Sequence, residues 1–189
     1  MLPARVIAGS HSAWRSTSRM TETQPTLQKK ICMLGGFGVG KTSLVRRFVE
    51  SVFSETYLTT VGVKIDKKMV ALSDRTITLI LWDVAGEDDI APLRMSYIRG
   101  ASGYVLVADG TRQPTLDVAL SLRHRVEAEY GVLPFVLLLN KSDLREQWQV
   151  TAQTLDELPE KGCTARLSSA RTGEGVEQAF RDLAAAISR

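Results

Sequence analysis

The run Gly35-Gly36-Phe37-Gly38-Val39-Gly40-Lys41-Thr42 has the form G-x-x-x-x-G-K-[ST], a spacing suited to holding phosphate. Glycines let backbone N–H groups turn inward around an oxyanion, and a helix starting where the run ends adds positive potential. Lys41 would reach the terminal phosphates and Thr42 would offer its hydroxyl to Mg²⁺, so Gly36 through Ser43 form the expected phosphate-contacting set. Two further polar groups stand directly after apolar runs. Asp83 closes Leu79-Ile80-Leu81-Trp82, and a carboxylate at a strand end facing the phosphate loop is a fitting partner for the same ion. Asn140-Lys141-Ser142-Asp143 follows a second apolar run, and a carboxylate there can accept from both N1–H and the 2-amino group of guanine. Adenine offers an acceptor at N1 and no 2-amino group, so Asp143 would favour guanine by roughly 10⁴.

These groups need elements to hold them. Residues 31–34 are apolar and lead through the glycine run into residues 41–52, where Leu44, Val45 and Phe48 are helically spaced, giving strand, loop and helix. Residues 63–72 and 76–83 flank Ser73-Asp74, a two-residue turn pattern that predicts an antiparallel hairpin at the sheet edge. Lys64, Lys67 and Lys68 would blunt that edge. Residues 104–108 and 135–139 are continuous apolar runs, as expected of strands covered on both faces, with a helix between them opened by Pro114 and closed by Gly131. Residues 163–167 predict a last short strand. Val176, Ala179, Phe180, Leu183, Ala184 and Ile187 line one face of a final helix. This alternation predicts a three-layer α/β fold around a mainly parallel sheet of about six strands with one antiparallel edge strand, and the glycine run between its first strand and helix makes it resemble a P-loop NTPase fold.

The 189 residues, 44% hydrophobic and 24% charged, suit one domain. Residues 1–30 carry five basic groups against Glu22 alone, which leaves 19 basic and 20 acidic residues from position 31 onward. A body so nearly neutral lacks the basic stripe that nucleic acid requires. Cys32 and Cys163 lie inside apolar runs and are expected as buried thiols, and His11 and His124 have no ligand-spaced neighbours for zinc. Residues 1–28 are expected as a disordered or dispensable tail, or as a targeting segment, ahead of one domain at 29–189.

In order and spacing these motifs resemble the Ras superfamily of small GTPases, and they look most like its Rab-like branch. Thr59-Thr60-Val61-Gly62-Val63, Trp82-Asp83-Val84-Ala85-Gly86, Ser96-Tyr97-Ile98-Arg99-Gly100-Ala101 and Asn140-Lys141-Ser142-Asp143-Leu144 carry the likeness. The resemblance implies a switch that binds GTP or GDP with Mg²⁺, hydrolyses GTP slowly, and works with effector, exchange-factor and activating proteins. It further implies that Thr60 joins Thr42 and Asp83 around Mg²⁺, that Phe53 lies edge-on to guanine and that Tyr57 covers the phosphates. Gly86 would give a backbone N–H to the γ-phosphate. Ser169-Ala170-Arg171 would form the last base-contacting loop, with Arg171 where lysine is usual.

Three features depart from that family. Glu87 stands where a glutamine usually orients the attacking water, and a carboxylate accepts hydrogen bonds without donating them. Repulsion would slow hydrolysis, whereas a carboxylate with a raised pKa could act as a base, so altered and partner-dependent hydrolysis is expected. Phe37 replaces a small residue, and its ring could obstruct an arginine supplied in trans. The sequence stops at Arg189 after the last helix with no cysteine for prenylation, which predicts no direct lipid anchor and a cytoplasmic location; a monomer is also expected. A second reading is a pseudo-GTPase that holds GTP constitutively as an interaction module. A third, an adenine-specific ATPase or small-molecule kinase, is opposed by residues 140–143.

Overall fold

In the computed structural model, which describes residues 27–51, 62–86 and 95–188, the apolar runs form a six-stranded sheet. Its strands are β1 (Leu27–Leu34), β2 (Val63–Ala71), β3 (Thr76–Val84), β4 (Gly103–Asp109), β5 (Phe135–Asn140) and β6 (Ala165–Leu167). They lie in the order β2-β3-β1-β4-β5-β6; β2 runs antiparallel to β3 and the other pairings are parallel. The helices are α1 (Lys41–Glu50), α2 (Pro114–Tyr130), α3 (Ala152–Asp156) and α4 (Val176–Ala186).

Successive side chains of a strand point to opposite faces, and the buried residues divide accordingly. Ile31, Met33, Val105 and Leu138 pack with Leu44 and Phe48 of α1 and Phe180 and Leu183 of α4. Cys32, Leu106, Leu137 and Leu139 pack with Leu116, Ala119, Leu122 and Val126 of α2 on the other side. Phe48 and Phe180 stack with centroids 4.1 Å apart, which fixes α1 against α4. The expected three-layer fold is therefore present, and both cysteines are free and buried.

The boundaries differ from the sequence pattern where side-chain polarity and backbone pairing part company. β1 starts at Leu27 because Gln28, Lys29 and Lys30 pair with Thr78, Leu79 and Ile80, a ladder that needs no apolar side chain. Residues 1–26 of the expected tail lie outside the described residues. Helix α1 stops at Glu50, since Ser51 turns left-handed at φ 58°. Cys163 is not in β6: its N–H bonds to Leu158 O, and Gly162 at φ 69° ends the turn before it. The hairpin turn is as expected, with Leu72 N–H on Arg75 O and Ser73-Asp74 between. Lys68 does not guard the edge. Its ammonium sits over the Phe48 ring at 4.1 Å and reaches Phe48 O and Glu177, tying β2 to α1 and α4. No described helix is long and apolar enough to cross a membrane.

Candidate functional site

The parallel strands bring the C-terminal ends of β1, β3, β4 and β5 to one edge, where such folds bind ligands. After β1, the chain turns through Gly35 at φ 149° and Gly40 at φ 100°. A Cβ would stand 2.2 Å from Val107 O at Gly35 and 2.4 Å from Asn140 Nδ2 at Gly40, so both positions require glycine. Val39 is buried in the core and anchors the loop between them. Phe37 is 43% exposed, and Gly38 is left-handed at φ 71°.

Lys41 begins α1 and is buried, with Nζ 3.0 Å from both Gly35 O and Gly36 O. Burial pushes its ammonium down to about 8, opposed by the charge of Asp83. Carbonyl oxygens do not neutralise a buried cation, so the position suits an added anion. Thr42, followed on α1 by the half-buried Ser43, donates its hydroxyl to Asp83 Oδ2 at 2.5 Å. Asp83 is fully buried, and its Oδ1 has no hydrogen-bond partner among the described residues. Burial raises its pKa, while the Thr42 hydrogen bond and the charges of Lys41 and Lys64 lower it. A hydroxyl and a carboxylate with an unused oxygen are hard donors that fit Mg²⁺, which would take its other ligands from phosphate and water. Gly86 lies against the phosphate loop so closely that a Cβ would be 2.6 Å from Phe37 Cα.

The residues expected around the base lie near one another. Asn140 is buried; its Nδ2 donates to Val39 O at 2.9 Å and its Oδ1 accepts the Ala170 N–H at 3.2 Å. Asn140 thus joins the phosphate loop to the loop after β6. Asp143 is exposed at the rim, and its Oδ1 accepts from the buried Ser169 hydroxyl at 2.5 Å, which orients the carboxylate. Arg171 is exposed, and its carbonyl and that of Ala170 are held by Arg47 of α1. Lys141 takes the left-handed conformation at φ 67° and places Nζ 2.6 Å from Asp109.

Sequence reading missed Asp109, Thr111, Arg112, Arg47 and Trp148, which brace the site from behind. Asp109 had the same mark as Asp83 and Asn140, a polar residue directly after an apolar run at the same sheet edge. The others carry no such mark, because their roles arise only from tertiary contact. Phe53, Tyr57, Thr60 and Glu87, expected at the base, phosphates, metal and water respectively, lie outside the described residues. The family model described as Ras family matches residues 30–189.

Proposed function

The chain belongs to the Ras family of GTP-binding small GTPases, and from that membership we propose that it is a Rab-like switch that hydrolyses GTP slowly. The observation that carries this reading is the buried ammonium of Lys41 beside the Thr42–Asp83 pair, with Asp83 Oδ1 unpartnered among the described residues. Thr42, Asp83 and Thr60 would hold Mg²⁺, which supplies charge neutralisation between phosphates when bound. Lys41 stabilises the charge that accumulates as water oxygen bonds to the γ-phosphorus, the γ-phosphorus bond to the bridging oxygen breaks, and GDP leaves. The proton of that water passes to the released phosphate or to solvent. Asp143 accepts from the guanine edge, with Asn140, Lys141, Ser169, Ala170 and Arg171 around the base.

Glu87 and Phe37 bear on the rate of this reaction. A carboxylate in place of an amide beside a triphosphate loses donation and adds repulsion, and a Phe37 ring beside the phosphates obstructs an arginine arriving in trans. Altered, partner-dependent hydrolysis is the consequence. Contacts from Thr60 and Gly86 that exist only with a γ-phosphate make loop order depend on the nucleotide. An effector would read that order along β2, where Ile65 and Met69 are exposed beside Lys67. A monomer in the cytoplasm, regulated by exchange and activating proteins, completes the proposal.

Glu87 and Phe37 also favour a second reading, a pseudo-GTPase that keeps GTP as a structural ligand. The protein, purified without added nucleotide and then denatured, is expected to release mainly GDP on anion-exchange chromatography. Mainly GTP would replace the switch with the pseudo-GTPase, and an adenine nucleotide would overturn the role given to Asp143.

A further inference from the structure

The loop between β4 and α2 stands between the phosphate side and the base side of the site. Its centre is the Asp109 carboxylate, fully buried and held by four donors. These are Lys141 Nζ at 2.6 Å, Arg112 Nε at 3.0 Å, the Thr111 hydroxyl at 2.8 Å and the Thr111 N–H at 3.0 Å. Burial opposes its charge, but the Lys141, Thr111 and Arg112 hydrogen bonds together hold it below the usual carboxylate range. Arg112 uses a second nitrogen, Nη2, to donate to Phe37 O at 2.9 Å. One guanidinium therefore links a buried anion to the backbone of the phosphate loop, and the same anion links to Lys141 of the base loop. Lys141 is in turn fixed by Trp148, whose indole N–H donates to its carbonyl at 3.0 Å. The Trp148 ring closes over Gly110, where a Cβ would stand 2.3 Å from it.

The Phe37 carbonyl and the Gly38 N–H belong to one planar peptide and point in opposite directions. A cationic donor on the carbonyl fixes that plane, turns the N–H to the other side and polarises it as a donor. An exposed ion pair would do little here, because solvent screens it and both side chains stay mobile. Arg112 differs, since its fork is held at one end by a fully buried carboxylate and at the other by the loop it orients.

We propose that Arg112, fixed by Asp109, is a positioning residue that holds the Phe37–Gly38 peptide with its N–H toward the bound phosphates. The β4–α2 loop thereby sets how long a nucleoside polyphosphate stays bound. This rests on the nucleotide reading above and adds to it a residue that touches neither base nor phosphate. Its influence reaches the phosphates and leaves base choice to Asp143.

The test uses the full chain loaded with fluorescent N-methylanthraniloyl-GDP and compares wild type with Arg112→Ala and Arg112→Lys. Arg112→Ala is expected to release the nucleotide about tenfold faster or more, the scale of one charge-assisted hydrogen bond. The preference for GDP over IDP, which lacks the 2-amino group, is expected to stay at the wild-type value. Arg112→Lys keeps the charge without the fork and is expected to fall between the two. Release from Arg112→Ala at the wild-type rate overturns the proposal, as does a matching loss of GDP-over-IDP preference, which would mark a general structural role. A wild-type chain that retains no GDP overturns the reading of the site itself, and the proposal with it.

Discussion

Tyr104 and Asp83 are both fully buried with an oxygen that has no hydrogen-bond partner among the described residues, yet they differ in meaning. Asp83 sits at the ligand edge of the sheet, where a bound ion would use its free oxygen. Tyr104 is the second residue of β4, with its ring stacked on Phe135 at 5.4 Å, far along the strand from that edge. Its hydroxyl is a cost to folding that no function at the site offsets. Burial and the nearby Glu127 push its pKa up to about 12, against the charge of Arg123. A raised folded value means that the contribution to stability is whole below the ordinary pKa of 10 and is lost as pH rises through about 12. Tyr104→Phe is therefore expected to match or exceed wild type by up to about 1 kcal/mol at pH 7 in urea unfolding. It should also flatten the loss of stability between pH 10 and 12. A variant less stable by more than about 1 kcal/mol at neutral pH would mean that the hydroxyl has a partner.

At the scale of elements, α1 carries both Lys41 and Thr42 and has two supports, the sheet below and α4 beside it. The stacked Phe48–Phe180 pair links the side chains of the two helices. Truncating Phe180→Ala removes a fully buried ring and is expected to cost about 3–5 kcal/mol in denaturant unfolding, while Phe180→Leu should retain more than half of that. A cost under about 1 kcal/mol for the alanine variant would show that α1 does not depend on α4. Such elements were legible because burial imposes a period. The continuous apolar run Ile31 to Leu34 follows from a strand buried on both faces, and the helical spacing of Leu44, Val45 and Phe48 from a helix buried on one. The residues expected at the site were legible where a polar residue closes an apolar run at a strand end, as Asp83 and Asn140 do. The polar start of β1 at Gln28 to Lys30 and the inward turn of Lys68 were not, since backbone pairing and a lysine ammonium lying over Phe48 leave no periodic trace. Arg112 was hidden for the same reason, as its partners are 3 and 75 residues away and only the fold brings them together.

Across the whole molecule the site draws on both halves of the sheet, which β1 and β4 join through their backbone pairing. The proposed phosphate side hangs on β1, β3 and α1, the proposed base side on β5 and β6, and Asn140, Arg47 and the Asp109 cluster bridge them. Without ligand, the protein buries the Lys41 ammonium and the Asp83 carboxylate with incomplete compensation, and burial shifts each toward its neutral form. By the proposed function, a bound polyphosphate with Mg²⁺ would supply the missing counter-charges, so it should stabilise the native state alone. At a thousandfold excess of ligand over Kd the gain is about 4 kcal/mol. For a chain of this size that corresponds to a rise in Tm of roughly 10 °C. Thermal unfolding is expected to give the highest Tm for the GDP–Mg²⁺ form, a lower one after EDTA, and the lowest after the nucleotide is also removed. The ordering follows from the two charges: EDTA exposes the need of Asp83 alone, whereas loss of the nucleotide also leaves Lys41 without its anion. Equal values for all three forms would show that neither buried charge waits for a ligand, and the phosphate and metal assignments of Lys41, Thr42 and Asp83 would fall together.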